Sequence, residues 1–128
     1  MSFSNTTETH VLNYLLTSAS VTRPTAWYLA LYTSNPAEDN SGTEVSTSGT
    51  GYARRSASFT VSGNSASNTS EIEFPTATAS FGTVTHAAVF DASTGGNMIA
   101  YGALATSKTI DTGDVMRVPA SDFNTTLD

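Results

Sequence analysis

The residues able to do chemistry are few, and their spacing serves it poorly. His86 sits within a run that reads as extended, residues 82–91. A general base there needs a nucleophile and an orienting carboxylate within reach. The nearest acid, Asp91, falls at an odd offset on the opposite strand face, so His86 is read as structural. His10 lies in an amphipathic stretch with no second ligand at metal-binding spacing. Glu71 and Glu73, two apart on a short strand, face the same way and raise the thought of paired glycosidase carboxylates. The wet face of a half-exposed strand explains them as well. Asp111-Thr112-Gly113-Asp114 lacks the later ligands of a calcium loop and reads as a tight turn. No phosphate loop, dinucleotide fingerprint or nucleophile elbow occurs, and there is no cysteine. No catalytic residue, cofactor or metal ligand is expected.

Arg54 and Arg55 are the more informative pair. They are adjacent, and successive strand residues point to opposite faces, so at least one must look inward or toward a neighbour. An arginine placed there requires a carboxylate. Glu38, Asp39 and Glu44, in a polar stretch expected to be a long exposed loop over residues 36–50, are available in this chain or the next. An ion pair tying loop to strand is the expectation. Glu38, Asp39, Glu44, Arg54 and Arg55, with Tyr52 as an exposed aromatic, form the candidate interface. Loss of Arg54 or Arg55 is expected to weaken assembly more than the fold.

The elements that must position these groups are mostly strands. With 128 residues the chain suits one domain, residues 1–128. Its 38% hydrophobic residues suffice for a core. Charged residues make up 12%, against about 25% in ordinary globular proteins, while Ser and Thr number 40. That balance favours strands and turns. A net charge of −6 opposes contact with a phosphate backbone, so no direct nucleic-acid binding is expected. The apolar runs are far too short for a membrane span, and the N-terminus does not read as a signal peptide, so a chain made and used in soluble, cytosolic form is expected.

One short helix, about residues 6–18, is expected, capped by Asn5 and carrying Val11, Leu12, Leu15 and Leu16 on a single face. Residues 26–33 read as a strand covered on both sides, with Trp27, Leu29 and Leu31 on one face and Tyr28 and Tyr32 on the other. Residues 56–61 and 71–74 are expected to form a hairpin. Residues 82–91, with Val84, His86, Ala88 and Phe90 on one face, pair with residues 98–104 across a Gly-rich turn. Short strands near the C-terminus complete an all-β, antiparallel β-sandwich or jelly-roll-like domain with one N-terminal helix.

Several segments then look familiar: WYLALYTSNP, GTEV, GYARR, FPTATASFGTVTHAAVFDASTGGNMIAYGAL, KTIDTGD and the final TLD. They resemble a family of small structural proteins of tailed bacteriophages and prophages, often labelled tail-fibre-like. The resemblance runs from about Trp27 to Asp128, with the helix a looser match. It implies a non-enzymatic virion component, assembled in the host cytoplasm. Small β-sandwich proteins of this size also serve as capsid decoration, or cement, proteins, often as trimers. The absence of internal repeats and of a trimeric stem leans toward that role. The expected partners are therefore the major capsid protein or other virion proteins, and further copies of the chain. The alternative is a tail-fibre, baseplate or head-fibre adaptor concerned with host attachment.

Overall fold

The computed structural model describes residues 2–127; Met1 and Asp128, the ends of the expected 1–128 domain, lie outside the described residues. Strand β1 (Ser2–Phe3) leads into helix α1 (Asn5–Leu16), and β2 (Tyr28–Tyr32) follows an irregular stretch. Then come β3 (Arg55–Ser56), β4 (Phe59–Ser62), β5 (Ser65–Asn68), β6 (Ile72–Glu73), β7 (Gly82–Phe90), β8 (Met98–Ile110), β9 (Arg117–Val118) and β10 (Asn124–Thr126). A five-stranded sheet has the order β1-β8-β7-β2-β3; a three-stranded sheet runs β10-β5-β4, and β6 pairs with β9. All pairings are antiparallel. The fold is all-β with one short helix.

Burial explains the layering. On one face of the large sheet Leu29, Leu31, Ala87 and Val89 join Ile72, Val118 and Phe123 from the two small sheets and their flanks in one core. Phe59 packs against that core and meets Phe123 edge to face, with ring centres 6.1 Å apart. On the other face Ala30, Tyr32, Ala88, Phe90 and Met98 form a second, smaller cluster. The central strand β2 is thus covered on both sides, as its unbroken apolar run requires.

Four local readings of the sequence are corrected. The helix cap is Ser4, whose hydroxyl accepts from the Thr7 amide and donates to the Met98 carbonyl; Asn5 is the first helical residue. Ser4 is buried, so it outcompetes Asn5 by tying the helix start to β8 as well as capping it. Residues 59–62 pair with residues 65–68 rather than 71–74, because Gly63, at φ 61°, permits a tight turn at once. Ile72 and Glu73 pair instead with Val118 and Arg117. Along β7 the ladder is broken between Val84 and His86, so Val84 packs in the same core as Ala87 and Val89 rather than with Ala88 and Phe90.

The fourth correction concerns residues 36–50. This stretch is only partly exposed: Pro36, Val45 and Thr50 are buried. β3 covers β2 only at Tyr28 and Leu29, leaving the backbone groups at Leu31 and Thr33 in need of partners. The loop supplies them, with the Val45 amide donating to the Leu31 carbonyl at 2.9 Å and the Thr33 amide to the Thr43 carbonyl at 3.0 Å. Gly42 makes the return possible, since an added Cβ would lie 2.7 Å from the Asn35 carbonyl carbon and from Pro36 Cα. Backbone cannot yield as a flexible side chain can. Gly42→Ala is therefore expected to cost about 2 kcal/mol, measured as a lowered urea midpoint, with hydrogen exchange speeding first at the Val45 amide.

Candidate functional site

The ion pair expected between loop and strand exists. Arg54 holds Glu44 with both oxygens engaged, Nε to Oε1 and Nη2 to Oε2, each at 2.8 Å. Its Nη1 donates to the carbonyls of Ala92 at 3.0 Å and Gly95 at 2.8 Å in the β7–β8 turn. The guanidinium carbon lies 3.7 Å from the centre of the Phe90 ring, closing the second apolar cluster from above. The Arg54 side chain is only 8% exposed. One residue thus binds the loop, the approach to β3 and the β7–β8 turn, all within this chain.

Tyr52 is drawn into the same network and is not the exposed aromatic that the sequence suggested. Its ring is buried, stacked on Phe74 with centres 6.2 Å apart and edge-on to Phe81 at 5.7 Å. Its hydroxyl donates to Glu44 Oε1 at 2.8 Å and accepts from the Leu31 amide at 3.0 Å. It fills the gap in hydrogen bonding between β3 and the loop. Tyr32, stacked on Phe90, donates to Asn40 Oδ1 at 2.6 Å.

The remaining candidates lie outside this clamp. Glu38 and Asp39 are exposed; the Glu38 carbonyl accepts from the Asn5 amide, and Asp39 Oδ1 accepts from the Ser41 amide. Arg55 is exposed and donates to the Glu73 carbonyl at 3.1 Å. Arg54 and Tyr52 are therefore intramolecular, whereas Glu38, Asp39 and Arg55 remain free to meet a neighbour.

Electrostatics give the clamp a pH dependence. Burial first, and then the nearby Glu44 charge, push the Tyr32 hydroxyl up to about 12; the same two causes, in the same order, raise Tyr52 further. Burial opposes the Arg54 charge, but the hydrogen bond and charge of Glu44 outweigh it and leave Arg54 held above its ordinary value. In the unfolded chain both tyrosines ionise near 10. Stability is then fully present below that pH and falls as pH rises toward and past 12, by at most about 1.4 kcal/mol per pH unit for each tyrosine. Urea titrations on the alkaline side are expected to show this slope, and Tyr52→Phe to flatten it.

The groups first weighed for catalysis are placed in structural roles. His86 Nδ1 shares a hydrogen bond with Thr85 Oγ1 at 2.8 Å. Glu71 and Glu73 lean on the same side chain, Arg117, at 3.7 and 3.4 Å. Asp111 and Asp114 close the turn on each other's backbone amides. No group of three or more acidic, histidine or cysteine side chains suited to a metal occurs among the described residues, and none of the described helices is long and apolar enough to cross a membrane.

A family model described as podophage GP4 fiber I protein gp80 matches residues 2–126. The chain belongs to that family. The match spans the helix, both sheet layers and the clamp, so the fold described above is what the family model covers. Membership makes the chain a bacteriophage structural protein and a virion component. No curated protein matches it.

Sequence reading missed the apolar surface. Leu12, Tyr14, Leu15, Leu16, Val61 and Leu127 are all more than half exposed. The helix leucines looked like a core face because periodicity reports an apolar stripe and not what covers it. Val61, inside β4, and Leu127, just past β10, carried no signal, because the pairing of those strands was unknown.

Proposed function

We propose that the protein is a non-enzymatic component of a phage fibre, joined to other virion proteins through its exposed surface. The family match over residues 2–126 carries this reading. The fold agrees with it: Glu44 and Arg54 are tied up in holding the chain together, while large apolar side chains are left outside. Surfaces of that kind mark protein contacts. Self-association into a small oligomer, with three copies the number expected, is part of the proposal.

A second reading, decoration of the capsid through the major capsid protein, is favoured by the absence of any shaft repeat in a unit of 13.3 kDa. Quantitative mass spectrometry of purified particles separates the two, together with antibody labelling viewed by electron microscopy. A low copy number and label at the fibres support the first reading; hundreds of copies over the head replace it with the second. Absence from washed particles overturns both.

A further inference from the structure

Helix α1 is fixed to the body at one end only. The Ser4 amide donates to the Ile99 carbonyl at 3.0 Å, the Ser4 hydroxyl donates to the Met98 carbonyl, and the Asn5 amide donates to the Glu38 carbonyl at 3.1 Å. The Thr7 hydroxyl adds a bond to the Ile99 carbonyl at 2.8 Å. Beyond Thr7, among the described residues, the helix makes no hydrogen bond or ion pair outside itself and its caps. The strap that carries the chain on to β2 holds it no better. Among the described residues, residues 18–26 are tied only by the Ala19 amide, which donates to Thr17 Oγ1 at 3.1 Å.

Burial falls off along the same direction. A groove of about 860 Å³ runs beside α1, with Thr7, His10, Val11, Tyr14 and Leu15 on the helix side and Trp27, Ile99 and Leu127 on the body side. Thr7, His10 and Val11 are half-buried, whereas one turn further on Tyr14 is 74% and Leu15 67% exposed. At 100° per residue these five positions share one face of the helix, within about 140°. Facing therefore does not explain the difference; the helix stands further off the body at its C-terminal end. Leu127, on the body side, is itself 52% exposed. Apolar walls are turned toward one another with open space between them, and the hydrophobic effect favours bringing them together.

We infer that α1 is a lid that pivots on its first turn and lays Tyr14 and Leu15 against Trp27 and Leu127, the structure showing its open position. The tether is what assigns the groove to the helix. Val11, Tyr14 and Leu15 already border it and cannot diffuse away, so they act at an effective concentration on the order of millimolar, which a surface arriving from solution has to match. The movement is small. Leu15 lies about 12 Å along the helix from Thr7, so a tilt of about 20° lowers it by about 4 Å, one layer of side chains. The charged residues at the groove do not oppose it: Arg23 is exposed on the strap, and Asp91 is held by the Asn97 amide at 2.7 Å. Closure takes Tyr14, Leu15, Trp27 and Leu127 out of water together, and opening returns them. One helix thus controls part of the apolar surface offered to other virion proteins. Leu12 and Leu16 point away from the groove and stay outside in both positions.

The full chain supplies its own reporters, since it has one tryptophan and no cysteine. Tyr14→Gln with Leu15→Gln keeps good helix formers at two positions that are exposed in the open form. The double variant is expected to raise acrylamide quenching of Trp27 fluorescence at least twofold, whereas a helix fixed in the open position leaves quenching unchanged. Leu15→Cys with Leu127→Cys is expected to form an intramolecular disulfide under mild oxidation at least tenfold faster than Leu16→Cys with Leu127→Cys, whose helix cysteine points away. The lid requires both results. Unchanged quenching, or equal oxidation rates for the two cysteine pairs, would overturn it. If the glutamine pair loses helical circular dichroism, the cysteine pairs, which leave Tyr14 in place, decide alone. Closure belongs to the single chain, so the location of the protein on the particle is tested separately and stands or falls without it.

Discussion

Replacing Arg54 with alanine is expected to lower unfolding stability by about 3 kcal/mol, a large part of the 5–15 kcal/mol that holds a typical domain. The substitution leaves Glu44 with one partner, the Tyr52 hydroxyl, in place of three hydrogen bonds, and strips the Ala92 and Gly95 carbonyls of theirs. It also uncovers the Phe90 ring. Lysine is expected to recover only a small part of the loss. A single ammonium cannot grip a carboxylate through two oxygens and reach two carbonyls at once. Urea unfolding of Arg54→Ala, Glu44→Ala and the double variant measures the coupling between them. A loss under about 1 kcal/mol, the range of surface pairs, would mean that the clamp does not hold the fold. The sequence had suggested that assembly would suffer more than the fold. With the guanidinium satisfied inside the subunit, the order is reversed for Arg54, while Arg55→Ala is left to act on a neighbour.

That reversal marks where sequence reasoning reaches and where it stops. β2, β7 and the β7–β8 hairpin were legible because apolar runs and a Gly-rich turn are local signals. The Glu44–Arg54 pair was legible because two adjacent arginines in a strand cannot both face water. What was not legible depends on distant partners. Nothing local says that Phe59–Ser62 pairs with the strand just past Gly63, or that Ile72 waits for Val118. A strand apolar on both faces, as β2 is, can signal a domain that packs against a partner. Its second face is covered from within, by Arg54 over Phe90 and by the Tyr32 ring stacked beside it. The uncovered surface is the helix, whose stripe looked like ordinary core.

Asn68→Ala is expected to cost about 3 kcal/mol, because each buried group left without a partner costs about 1–3 kcal/mol. Asn68 is wholly buried at the end of β5. Its Nδ2 donates to the carbonyls of Ser70 at 2.9 Å and Pro119 at 2.8 Å, while Oδ1 accepts from the Phe123 amide at 2.9 Å. Alanine leaves the Phe123 amide and the Ser70 carbonyl without these partners, leaves the Pro119 carbonyl with the Asp122 amide alone, and opens a space that water enters only by loosening residues 119–123. Aspartate keeps the acceptor for the Phe123 amide but turns a carboxylate toward two carbonyl oxygens, so it is expected to be no better than alanine. The urea midpoint gives the total. Hydrogen exchange gives the location, with the Phe123 and Ser121 amides losing protection before those of β7.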